Sequence, residues 1–156
     1  MNRTFALIAA AAIVIAAAVL FAAGMLTQGN DQGDPDDADI MAEYRVEASD
    51  GTYRTVFELN GTPASESLVG MLPFSAEVKD YGSNEKIFDP PGALSEAVGL
   101  ERDCPAGSIA YFSPWGNVAL YSGSAPAYPG LYYMGYASEG ADQIGSLSGT
   151  VRFRLL

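Results

Sequence analysis

With 156 residues, one cysteine and no histidine, the chain has room for a single compact domain and no means of forming an internal disulfide, a histidine-dependent triad or a histidine-ligated zinc site. Its formal charge is −11, and its eight Lys and Arg residues are scattered, which excludes a nucleic-acid partner held through its phosphates. Chemistry in such a chain would have to rest on carboxylates, tyrosine, serine, arginine or Cys104.

In chain order, the first feature is "FALIAAAAIVIAAAVLFAAGML", 22 consecutive residues without a charge or a hydrogen-bonding side chain. At about 1.5 Å per residue, such a helix spans a hydrocarbon core of about 30 Å. Arg3 precedes it and the acidic "DQGDPDDAD" follows, so the reading is a transmembrane anchor or signal peptide over residues 1–26, with the N-terminus inside and the domain on the extracytoplasmic side of the cell membrane. The length favours an anchor. Ala22 and Gly24 also make a small-residue cleavage site, and removal of residues 1–24 would leave a secreted domain. Residues 27–42 read as an acidic flexible linker; eight of the nineteen acidic residues lie between Asp31 and Asp50. Pro35 and the missing Gly and Glu spacing argue against a calcium loop, and no metal or cofactor is expected.

From residue 43 to residue 156 the hydrophobic period is mostly two. "YRTVFEL" sets Tyr53, Thr55, Phe57 and Leu59 on one side and Arg54 and Glu58 on the other, following a hairpin signal at Asp50-Gly51. "TVRFRLL" likewise alternates Val151, Phe153 and Leu155 with Arg152 and Arg154. Between them lie "FSAEV", "SIAYF", "NVALY" and "LYYMGYA", each bounded by turn residues. One helix is expected after Thr62, whose hydroxyl suits an N-cap, with Pro63 at the first helical position, Leu68 and Leu72 on one face, and Pro73 closing it. A second short helical turn is expected in "ALSEAVGL", ended by Gly99. "NGT" at Asn60 has the form of a glycosylation sequon. These elements predict a mainly β fold: a small closed antiparallel β-barrel of about eight strands with one or two short helices, preceded by the N-terminal hydrophobic helix.

The ordered strings "LPFSAEVKDYGSNEKIF", "PAGSIAYFSPWGNVALYSG" and "GLYYMG" resemble the small bacterial and archaeal cyclophilin-like fold family, from about Tyr44 to Leu155. The resemblance implies a barrel of about eight strands with short helices at its open ends, in agreement with the periodicity. True cyclophilin isomerases carry an arginine in a "FHRI"-like strand and a "QGGD"-like segment. Neither string occurs here, and Arg45, Arg54, Arg102, Arg152 and Arg154 match no such motif, so no catalytic residue is carried over.

The candidate ligand-binding residues are Tyr81, Glu85, Phe112, Trp115, Asn117 and Tyr121. Trp115, the sole tryptophan, lies in the turn "PWG" between two strands, where an indole either covers a barrel end or lines a groove. Asn117 suits the same turn through its side-chain amide. Glu85 and Lys86 read as a solvated pair on a loop, or Glu85 as an acceptor at the barrel mouth beside Tyr81; Asp80 and Glu85 are also a candidate carboxylate pair. Six of the nine tyrosines fall between Tyr111 and Tyr136, and alternation sends Tyr132 and Tyr133 to opposite faces. Cys104 has Arg102 nearby and no partner base.

The sequence thus points to an exported, membrane-anchored cyclophilin-like domain that binds a peptide or small-molecule ligand in an aromatic groove without covalent chemistry. The alternatives are a peptidyl-prolyl isomerase of weak or specialised activity, and an interaction module of a membrane-associated complex, for which similar domains joined to flavodoxin-like ones suggest a redox role. The oligomeric state is not legible.

Overall fold

The computed structural model describes residues 42–94 and 99–156. The hydrophobic segment, nearly all of the linker and the middle of the second expected helical turn lie outside these residues. Among the described residues, no helix is long and apolar enough to cross a membrane.

Eight antiparallel strands close into a barrel: β1 (Ala42–Ser49), β2 (Arg54–Asn60), β3 (Phe74–Tyr81), β4 (Glu85–Phe88), β5 (Ser108–Phe112), β6 (Asn117–Tyr121), β7 (Leu131–Glu139) and β8 (Gly149–Leu155). Around the wall the order is β1-β2-β7-β5-β6-β4-β3-β8, and β8 pairs back onto β1. Closure leaves no free sheet edge. Two helices are described: α1 (Pro63–Val69) and a 3-10 helix at Ala141–Ser146 that the periodicity had not suggested. Because α1 follows the end of β2, the 3-10 helix follows the end of β7, and β2 and β7 run antiparallel, the two helices sit at opposite ends of the barrel.

The alternation read from the sequence decides what the barrel encloses. Inward residues Val46, Phe57, Leu59, Val78, Phe88, Ile109, Val118, Leu120, Val151 and Phe153 form one apolar core, joined by Ala64 and Leu68 of α1 and by Ile144. At its centre Phe153 stacks on Phe88 and Phe74 with ring centroids 4.4 and 5.0 Å apart. The alternation fails at strand ends: Tyr53 and Leu155, both expected inside, are exposed, the first in the hairpin loop ahead of β2 and the second the last residue of β8.

The β1–β2 hairpin has a four-residue loop in place of a tight two-residue turn. Asp50 accepts hydrogen bonds from the Thr52 and Tyr53 amides, both at 2.8 Å, and Gly51 takes φ +92°. Helix α1 starts at Pro63 as expected, yet the Thr62 side chain caps no amide. Its hydroxyl donates instead to Asn60 Oδ1 at 2.7 Å, as does Ser65 at 2.6 Å, while Asn60 Nδ2 donates to the Tyr133 carbonyl at 3.0 Å. Asn60 is 2% exposed and both its amide atoms are engaged, so the sequon has no room for a glycan. Where β7 crosses β2, a Cβ at Gly135 would lie 2.0 Å from the Glu58 carbonyl oxygen; only glycine permits that approach.

On the outer wall, Glu47 is 8% exposed and is held by two guanidinium groups, Arg54 at 2.5 Å and Arg154 at 2.7 Å. Arg54 also pairs with Glu139 at 2.8 Å, and Glu139 with Arg45 at 2.7 Å. The hydrogen bond from Arg154 is the main reason the Glu47 carboxyl lies below its ordinary range; burial opposes it and Arg54 adds to it.

Candidate functional site: an aromatic groove on the outer wall

The strand register builds the site. Tyr81 pairs with Glu85 across β3 and β4, and Glu85 with Tyr121 across β4 and β6, so these three side chains form one cross-strand row. Ile87 and Ala119 form the next row, and Asn117, Phe112 and Leu131 a third. All point away from the core, since the alternate residues Val118 and Leu120 lie inside it. Ala119 in the middle row has almost no side chain, and the wall is hollowed there.

The hollow becomes a cavity of about 370 Å³ because two loops rise around it. One is the β5–β6 turn, where the amides of Trp115 and Gly116 both bond to the Phe112 carbonyl, at 3.2 and 2.9 Å, and Gly116 takes φ +71°. The other holds Ala125, Pro126 and Tyr128. It is stapled to the loop before β5 by reciprocal backbone hydrogen bonds of 2.8 Å between Cys104 and Ala125, and by the Ala127 amide on the Asp103 carboxylate at 2.8 Å. The Gly130 amide adds a bond to Glu101 at 2.9 Å.

The rings are arranged as walls. Trp115 meets Tyr81 and Phe112 edge-on, with centroids 5.5 and 5.4 Å apart and interplanar angles of 79° and 77°. Phe112 in turn meets Tyr128 at 5.9 Å. Such T-shaped contacts satisfy the ring quadrupoles while leaving ring faces open. Trp115 itself is 59% exposed, and Tyr81 and Tyr128 are also exposed.

At the floor, burial raises the Glu85 carboxyl above its ordinary value, and a hydrogen bond from the Tyr121 hydroxyl opposes that rise. Tyr121 is buried, and that burial, with the Glu85 charge beside it, holds its phenol well above the usual range. Cys104 lies behind the wall, fully buried and free; burial pushes its thiol up to about 11 against the opposing pull of Arg102. Among the described residues, no cluster of side chains suited to a metal ion forms.

Tyr81, Glu85, Phe112, Trp115, Asn117 and Tyr121 thus all line one concavity. Asp80 does not join them: it points to the opposite side of the sheet and pairs at 2.5 Å with Lys86, which is 6% exposed and turned inward. Neither the carboxylate pair nor the solvated Glu85–Lys86 pair exists. Tyr132 and Tyr133 do face opposite sides, Tyr132 against the central core and Tyr133 in a second apolar cluster under the loops. Sequence reasoning missed Ile87, Ala119, Ala125, Pro126, Tyr128 and Leu131 in the lining. The alternation of "NVALY" was the available signal for Ala119, since it shares a face with Asn117 and Tyr121.

A closed eight-stranded antiparallel barrel, with a helix at each end and a groove on its outer wall, defines a cyclophilin-like domain. The family model described as the cyclophilin-like family matches residues 49–155, and the chain belongs to that family. Its fold is similar to the solution structure of a hypothetical protein from Archaeoglobus fulgidus, with a TM-score of 0.60 and 17% identity over 74% of this chain and 96% of that one. No curated protein matches the chain.

Proposed function

We propose that the protein is an exported, membrane-anchored cyclophilin-like domain that binds a peptide or small molecule in the outer-wall groove without covalent chemistry. The observation that carries this reading is the convergence of Tyr81, Glu85, Phe112, Trp115, Asn117 and Tyr121 on one cavity of about 370 Å³. Apolar walls with few polar groups, in a volume at the low end of roughly 300–1,000 Å³, are the usual properties of a small-ligand site. Anchoring rests on residues 5–26 and their flanking charges, and protease accessibility of the domain in intact cells tests it.

Binding is tested on the full chain with a library of short peptides and small molecules, using Trp115 as the sole indole. A ligand in the groove shifts the Trp115 emission, and Ala119→Leu, which fills the floor from the side facing away from the core, abolishes the shift. A ligand whose affinity is unchanged by Ala119→Leu binds elsewhere and defeats the reading. The isomerase alternative draws on the same aromatic surface, which suits a proline ring. Among the described residues, the lining supplies no arginine beside it. A proline-peptide isomerisation rate equal to the uncatalysed background removes that alternative.

A further inference from the structure

Among the described residues, the two charged groups buried most deeply are both paired. Glu47 and Lys86, 8% and 6% exposed, have ionic partners: two arginines for the first and Asp80 for the second. Glu85 is different. It is half-buried at the floor of an apolar cavity, and among the described residues it forms no ion pair, only the hydrogen bond from the Tyr121 hydroxyl. A carboxylate desolvated without a counter-charge is costly, and at Glu47 the fold meets that cost with two arginines. The other half-buried carboxylates outside ion pairs, Asp50 and Glu58, lie away from the groove, the first on backbone amides and the second on the Tyr136 hydroxyl. Among the described residues, no Lys or Arg lines the groove. The other titratable groups around Glu85 are Tyr81 on β3, Tyr121 on β6 and Cys104 in the loop before β5; burial holds Tyr121 and Cys104 neutral.

We infer that the missing counter-charge comes from the ligand: the groove is a receptor for an organic ammonium group, held against the ring faces of Trp115, Tyr81, Phe112 and Tyr128 and countered by the Glu85 carboxylate. The inference rests on the proposed function and specifies the ligand's chemistry. Three further observations support it. Rings set nearly at right angles make the sides of a box, and a cation within about 6 Å of such ring faces is attracted by their quadrupoles. The chain's net charge of −11 repels anions from the groove and draws cations towards it. The cavity, about 370 Å³, suits a single head group with a short stem.

The test is a fluorescence titration of the full chain, solubilised in a non-ionic detergent, with two isosteric pairs. The first is choline and 3,3-dimethylbutan-1-ol, which share a shape and differ in charge. The second is Nα-acetyl-lysine methylamide and its 2-aminoheptanoic acid counterpart, in which a methyl group replaces the ammonium. In each pair the charged member is expected to bind at least tenfold more tightly than the neutral one. The tighter of the two charged members identifies the source, a free ammonium compound or a lysine side chain. Glu85→Gln reduces the charged member's advantage to threefold or less, while Glu85→Asp retains most of it. Equal affinities within both pairs, or an advantage that survives Glu85→Gln, overturn the inference and leave a groove that binds by apolar contact, with the proposed function intact. Silence of Trp115 towards all four compounds also overturns it, and silence towards the peptide and small-molecule library as well defeats the proposed function. The comparison of pairs in the unmodified protein decides the matter even if Glu85→Gln does not fold.

Discussion

Replacing Trp115 by alanine separates a groove wall from a core residue, because the two roles differ in how much stability is at stake. With 59% of its surface exposed, the indole buries about two-fifths of a side chain of roughly 250 Å². That is about 100 Å², or about 2.5 kcal/mol at roughly 25 cal/mol per Å². Residual compactness of the unfolded chain makes this an upper figure. Set against a domain stability of roughly 5–15 kcal/mol, the loss leaves the variant folded. Phe153→Ala is the internal standard: Phe153 is fully buried between Phe74 and Phe88, and its truncation costs roughly 3–5 kcal/mol. Urea unfolding followed by far-UV circular dichroism reads both variants without relying on the deleted fluorophore. The expected result is a midpoint for Trp115→Ala well above that of Phe153→Ala, with an unchanged denaturant slope. If Trp115→Ala is destabilised as much as Phe153→Ala, the indole is a structural keystone and the argument for a wall fails.

Gly135→Ala drives a methyl group into the Glu58 carbonyl, and the strand shift needed to relieve it costs roughly 1–3 kcal/mol, seen as a lower urea midpoint. Glu47→Gln removes the charge that holds Arg54 and Arg154; since both arginines are half exposed, the loss at neutral pH is roughly 1–2 kcal/mol. The folded-state carboxyl of Glu47 lies below its ordinary value of 4.5, so its contribution is complete above that value and disappears as pH falls through the lower, folded one. Acid titrations should therefore show a steeper loss of stability below pH 4.5 in the parent than in Glu47→Gln, and parallel curves would contradict the pairing. Cys104, buried and with its thiol near 11, reacts with a thiol reagent at pH 8 only after unfolding, and rapid labelling of the folded protein would refute that placement.

The strands were legible because a barrel wall with one apolar side imposes a strict period of two, and β2, β6 and β8 keep it between clear turn residues. The six groove residues were legible for a related reason: they crowd around the turn "SPWGN" and the hairpin that pairs Tyr81 with Glu85. The orientation of Lys86 was not. β4 has only four residues, too few for a pattern, and a lysine next to a glutamate gives no hint that its amine crosses to Asp80. The loop carrying Pro126 and Tyr128 was also illegible, since its position depends on hydrogen bonds to the Cys104 backbone and the Asp103 carboxylate, more than twenty residues earlier in the chain. The buried state of Asn60 depends on a similar long-range bond, to the Tyr133 carbonyl.

Strand β6 serves two masters in alternation: Val118 and Leu120 belong to the core, Asn117, Ala119 and Tyr121 to the groove. A lineage can therefore rewrite every second residue of this strand, and with it the shape and polarity of the groove, while the intervening residues go on specifying the same barrel. The groove's surface and foldability are inherited on separate tracks of one five-residue segment, and the tracks stay separate only while the register holds. Insertion of a single residue into β6 would exchange them at once, turning the groove's residues into the core and the core's residues out to solvent.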